Sequence, residues 1–222
     1  MAKKNIVKAN HLKRTMPKQK KAVFITVEGG EGCGKSSIIN FLFKLFKANN
    51  LSVKIFREPG STRIGEKIRD LLLDKKNNEM SVYTELLLYL AARTQLIEEK
   101  LRKALYQYDI LICDRFYDST LVYQGYALGL GKIAEDSVKV FSLGIVPDIT
   151  FILDTLPRSG LKRIECKDRI ELRPVSFHDK LRMGYIALSK RYPQRIKLIN
   201  ANGTLQDTYK NVEKIVIEEI IK

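Results

Sequence analysis

Eight consecutive residues, Gly29-Gly30-Glu31-Gly32-Cys33-Gly34-Lys35-Ser36, carry the spacing G-x-x-x-x-G-K-[ST]. The chemistry such a run performs is anion capture. Glycines let backbone amides curl around a β-phosphate, the lysine reaches the β and γ oxygens, and the serine hydroxyl suits Mg²⁺. Ser37 follows where a helix is expected to begin, and the helix N-terminus adds partial positive charge. A β-branched stretch precedes the run, so strand, turn and helix come in the order this chemistry requires. Binding of a nucleoside triphosphate follows from these residues alone.

The elements that must position them alternate along the chain. Short β-branched or apolar runs at Ala22–Glu28, Leu51–Arg57, Asp109–Asp114, Asp148–Asp154 and Arg195–Asn200 read as strands. Helical spacing occupies Lys35–Ala48, Arg63–Leu73, Ser81–Tyr106, Ser119–Leu128, Glu135–Leu143, Val175–Tyr192 and Leu205–Ile221. Five strands interleaved with helices predict an α/β domain, a five-stranded parallel sheet covered by helices on both faces. Ligands of such folds sit beyond the carboxyl ends of the strands. Those ends are Glu28, Arg57-Glu58, Asp114-Arg115 and Asp154, so charge collects where a site is expected.

Composition narrows the classes. The longest apolar run, Leu86–Ala92, is seven residues, against roughly 20 needed to span a bilayer. Cys33, Cys113 and Cys166 form no C-x-x-C pair, and a reduced, cytoplasmic compartment is expected. The 222 residues carry a net charge of +15, and residues 1–21 hold eight cations and no acid. That stretch reads as a basic, disordered extension, leaving 22–222 as one domain. A basic chain suits nucleic acid, a membrane surface or an anionic metabolite, and composition does not choose among them.

The strings N-K-x-D and D-x-x-G, expected of a GTPase, do not occur. A charged, irregular segment near 157–170 reads instead as a short lid, which would exclude water from a transferring phosphoryl group. With that lid, the acid-bearing phosphate loop, Arg57-Glu58-Pro59-Gly60, Tyr89-Leu90-Ala91-Ala92-Arg93, Asp114-Arg115-Phe116, Ser119-Thr120, Tyr123-Gln124-Gly125 and Asp168-Arg169-Ile170-Glu171 occur in one order across residues 22–200. The chain thereby resembles the thymidylate kinases. The resemblance implies transfer of the γ-phosphoryl of ATP to dTMP, giving dTDP, with Mg²⁺ and in a homodimer, with no nucleic-acid or membrane partner.

It also implies roles. An acceptor phosphate with a second pKa of about 6 is largely ionised at neutral pH and needs no general base. The obstacle is bringing two polyanions together, so catalysis should be cationic clamping and alignment. By resemblance, Lys35, Arg57, Arg115 and Asp114 carry the reaction, with Ser36 and Asp114 toward Mg²⁺. Tyr89 and Arg93, four apart on one helix face, would stack on and donate to thymine. Glu31 resembles the acid that accepts the sugar 3′-hydroxyl, and Tyr123 the ring that selects deoxyribose. Ser119, Thr120 and Gln124 fall toward the base, and Pro59 resembles a cis-proline of the pocket wall. With glycine at position 32, the catalytic arginine must come from the lid, where Arg163, Lys167 and Arg169 are candidates and Arg169 is the expected one. Two other readings stay open: a deoxynucleoside kinase, which would need a carboxylate base, and a nucleic-acid-binding NTPase, whose affinity would fall steeply with salt.

Overall fold

The protein is described here by a computed structural model covering residues 21–165 and 168–221. The expected N-terminal extension and the lid candidate Lys167 therefore lie outside the described residues, apart from Lys21. Five parallel strands, β1 (Val23–Gly29), β2 (Val53–Arg57), β3 (Ile110–Asp114), β4 (Ile149–Asp154) and β5 (Ile196–Asn200), form one sheet in the order β2-β3-β1-β4-β5. Each begins or ends within two residues of its expected position. The second starts two residues late because Ser52 is engaged with the Asp109 carboxylate, its amide donating at 2.8 Å.

Alternation along β1 explains the two covered faces. Ile25 and Val27 turn to a core shared with α1 (Lys35–Ala48) and α9 (Leu205–Glu219). Phe24 turns the other way, to meet Phe116 edge-on at 5.2 Å in a second core beside Leu96, Ile97 and Leu101. Removing one such ring would cost about 3–5 kcal/mol. On the same side α8 (Val175–Arg191) closes a third cluster through Phe177, Leu181 and Tyr185.

The remaining helices are α2 (Arg63–Leu73), α3 (Val82–Leu96), α4 (Arg102–Ala104), α5 (Tyr117–Thr120), α6 (Gly131–Phe141) and α7 (Pro157–Leu161). The long helix expected over Ser81–Tyr106 is interrupted by a π-helical turn at Ile97–Leu101, and a second π-helical segment, Leu121–Ala127, continues α5. Segment 157–170 is not irregular throughout, because Pro157 at the first turn starts α7. Helix α6 starts four residues before its expected position, at Gly131, whose φ of +36 follows from the lack of a side chain.

Candidate active site

With β1 central, the loop that follows it lies over the middle of the sheet. Gly29, Gly32 and Gly34 all take positive φ, and Gly34 caps α1 with no side-chain hydrogen bond and no acid in the first turn. The amides of that turn are left for an anion. Lys35 folds back over the loop, its Nζ donating to the Gly30 carbonyl at 3.0 Å. Cys33, within the loop, is a buried, free thiol.

Beside this loop a cavity of about 140 Å³ opens over the ends of β1, β2 and β3. Glu31, Lys35, Arg57, Pro59, Tyr89, Arg93, Asp114, Arg115, Ser119, Thr120, Tyr123 and Gln124 all line it, drawn from four stretches of the chain, 31–35, 57–59, 89–93 and 114–124. The Glu58–Pro59 bond is cis. Arg57 pairs with Glu66 at 2.7 Å on the exposed side of the opening. Arg69 of α2 lines the cavity too and donates to the Pro59 carbonyl; nothing in the sequence singled it out.

Arg93 is buried in the apolar face of α3, where a lone charge would be costly. Its partner is Glu58, 2.5 Å away and equally buried. Arg93 also donates to the Thr120 hydroxyl at 2.7 Å, while its Nε and Nη1 have no hydrogen-bond partner. Burial drives the Glu58 carboxyl above the usual carboxylate range, against the pull of Arg93.

Arg115 sits between the two halves of the cavity. Its Nη2 donates to Glu31 at 2.9 Å and its Nη1 to the Gly29 carbonyl at 2.8 Å. Glu31 also accepts from the Tyr123 hydroxyl at 2.5 Å. Burial pushes Glu31 upward, but Arg115, Lys35 and Tyr123 overcome it and hold the carboxyl at about 2. Ser119, expected at the base, spends its hydroxyl on the buried Glu28 at 2.6 Å and on Arg115. Asp114 has a buried Oδ1 with no hydrogen-bond partner and no hydrogen bond to Arg115.

The lid corrects one expectation. Arg169 does not face the phosphate loop: its Nε donates to the Leu72 carbonyl and its Nη2 to Glu85, both at 2.7 Å. Arg173 donates to the same Glu85 oxygen, whose partner oxygen accepts from Gln124. Arg169 is thus a buried anchor where the lid rejoins the domain, and neither Glu85 nor this bond was foreseen. Among the described lid residues, Arg163 reaches the loop, its Nη1 donating to the Gly32 carbonyl at 3.1 Å. Gly160 rests directly on Gly32, for a Cβ built on Gly32 would stand 2.1 Å from the Gly160 oxygen.

A parallel α/β sheet, a phosphate loop that opens a helix and an adjoining cationic cavity define a P-loop phosphotransferase. The model of the thymidylate kinase family matches residues 27–212. Thymidylate kinase of Clostridium novyi (strain NT) is 42% identical over 199 residues, 87% of this chain and 97% of the relative. That of Chlamydia muridarum (strain MoPn / Nigg) is 45% identical over 185 residues, 81% of this chain and 91% of its own. The crystal structure of thymidylate kinase from Ehrlichia chaffeensis superposes with a TM-score of 0.71 at 28% identity, covering 88% of this chain and 99% of that one. The chain belongs to the thymidylate kinase family.

Proposed function

We propose that the protein transfers the γ-phosphoryl group of ATP to dTMP, giving ADP and dTDP. The observation that carries this reading is one cavity in which the phosphate loop residues Glu31 and Lys35 meet Arg57 and Arg115 on one side and Tyr89, Arg93 and Thr120 on the other. An acceptor phosphate between Arg57 and Arg115 would lie in line with the end of a triphosphate wrapped by the loop. Clamping of this kind lowers the barrier by offsetting charge as the two anions meet. Arg163, already on the Gly32 carbonyl, is the lid cation that turns toward the transferring group. Tyr89 supports the base, and the unpartnered Nε and Nη1 of Arg93 are donors suited to a pyrimidine carbonyl. The rival reading as a sugar kinase has no counterpart among the relatives described above, which are thymidylate kinases.

Ser36 and Asp114 line a common hollow at the edge of the cavity. With the orphaned Asp114 Oδ1, it offers oxygen donors that fit a hard cation completed by waters and phosphate oxygens. Bound there, Mg²⁺ would neutralise charge on the β and γ oxygens. No group of three or more His, Cys, Asp or Glu side chains placed to hold a metal ion occurs among the described residues. No helix among those residues is long and apolar enough to cross a membrane, and the free Cys33 and Cys113 suit a reducing cytoplasm.

We also propose a homodimer. Helices α2, α3 and α6 pack side by side and leave Leu71, Tyr83, Leu87 and Ile133 about half exposed or more, an apolar face suited to a second copy. Leu87→Glu should yield a monomer in light scattering. The activity itself is tested by ADP release with Mg-ATP against dTMP, dUMP, UMP, dGMP, dCMP and thymidine. Turnover with dTMP is expected; turnover with thymidine alone would overturn the reading.

A further inference from the structure

Beneath the cavity lies a carboxylate that the reaction as described does not use. Glu28, near the end of β1, is fully buried. It accepts hydrogen bonds from the Phe116 amide at 2.7 Å, the Ser119 hydroxyl at 2.6 Å and the Tyr185 hydroxyl at 3.0 Å. Those two hydroxyl oxygens are also the acceptors, each at 3.2 Å, for Nη1 of Arg115.

Where Glu28 is ionised, donor and acceptor counting sets the direction of these bonds. An ionised carboxylate only accepts, a hydroxyl has one proton, and a guanidinium only donates. With the protons of Ser119 and Tyr185 committed to Glu28, their oxygens present lone pairs to Arg115. The two hydroxyls are 3.0 Å apart, so a displaced proton would turn one of them against the guanidinium. The backbone of Arg115 is itself held at φ +66, a conformation disfavoured for a residue with a Cβ. Burying a carboxylate costs stability unless every lone pair is used, and here its partners converge on one arginine.

We propose that Glu28 is a positioning residue for Arg115: through the hydroxyls of Ser119 and Tyr185, it fixes the guanidinium where it clamps the acceptor phosphate. The inference rests on the reading of Arg115 as that clamp. Burial first, and then Asp118 of α5, push the Glu28 carboxyl up to about 7, against the pull of Arg115. The other titratable groups facing it are Cys113 of β3, Tyr185 of α8 and Arg195 before β5. A proton on Glu28 must itself be donated, which breaks the relay, so the clamp should loosen as pH falls below neutrality.

The test compares Glu28→Gln and the double variant Ser119→Ala/Tyr185→Phe with wild type. Glu28→Gln should lower kcat about a hundredfold and leave KM for ATP within about threefold, as a misplaced clamp predicts. It should also lose the fall of kcat below pH 7 that wild type shows beyond ionisation of dTMP itself. Adding Glu28→Gln to the double variant should cost little more, since the relay is already cut. Nitrogen-15 NMR of the arginine side chains reads the same thing without turnover: resolved Arg115 η resonances in wild type, averaged ones in the variants. A folded Glu28→Gln protein with wild-type kcat, pH profile and η resonances would overturn the proposal. Should Glu28→Gln not fold, the double variant decides, and wild-type kcat in it has the same force. Wild-type protein that releases no ADP with dTMP refutes the proposed activity instead, and the relay is then judged on the η resonances alone.

Discussion

Arg93 Nη2 lies 2.5 Å from Glu58 Oε1, with both side chains 1% exposed. One member of this pair directly follows β2 and the other is on α3, so this wall of the cavity is also a buried ion pair. Arg93→Ala should therefore do two things. The dTMP requirement rises and base choice blurs, and the protein loses about 3–5 kcal/mol because Glu58 is left charged and alone. The sign with pH follows from Glu58, whose carboxyl is raised on folding by burial. A raised carboxyl contributes stability below its unfolded pKa and loses it as pH rises. Lowering the pH from neutrality toward 5 should recover part of the Arg93→Ala deficit in urea melts; a deficit constant with pH would argue against the pairing.

Glu31 behaves oppositely. Its carboxyl is held at about 2, so the stability it contributes is full above its unfolded value near 4.5 and is lost as pH falls toward 2. Glu31→Gln should flatten acid denaturation over that window and weaken the hold on Arg115. Parallel acid titrations of wild type and variant by circular dichroism measure this directly.

Among the described residues, the Lys35 ammonium hydrogen-bonds only within its own loop, to the Gly30 carbonyl and, at 3.8 Å, the Cys33 sulfur. Lys35→Ala should lower kcat by about 10³-fold with little change in Tm. Retained turnover would show that the loop binds without catalysing.

The two lid arginines should separate cleanly. Arg163→Ala removes an exposed cation beside Gly32 and should reduce kcat while leaving Tm unchanged. Arg169→Ala leaves Glu85 and the Leu72 carbonyl short of a buried donor and should lower Tm, by about 3 kcal/mol or more of stability. Steady-state kinetics and calorimetry on the same two variants distinguish the roles; the reverse assignment would restore Arg169 to the chemistry.

Some of this was legible in the sequence. Lys35–Ala48 and Arg63–Leu73 were bounded to the residue, because Ile38, Ile39, Leu42 and Phe46 and the Thr62 cap leave little choice. Most of the cavity residues are legible because they stand in the phosphate loop, at a strand end or on one helix face; Arg69 is not, since nothing beside it in the sequence marks it. What failed depended on partners far away in sequence. Nothing local tells Arg169 from Arg163; Glu85, 84 residues earlier, decides it. Glu28 reads as the charged end of a strand and nothing in the sequence singles out Tyr185; folding sets Tyr185 on Arg115, and Glu28 behind it. The π-helical turns left no trace either, since their periodicity differs from an α-helix over fewer than two turns.

The two touching glycines reach beyond packing. The Gly160 carbonyl lies where a Gly32 side chain would stand, and a Cβ at 160 would meet the Glu31 carbonyl at 2.2 Å, so α7 lies close on the phosphate loop, where it would cover the terminal phosphates of a bound donor. A methyl group at 160 would wedge it ajar. Such a variant should discharge product faster yet squander ATP on water, so the chain's economy in donor hangs on two missing side chains.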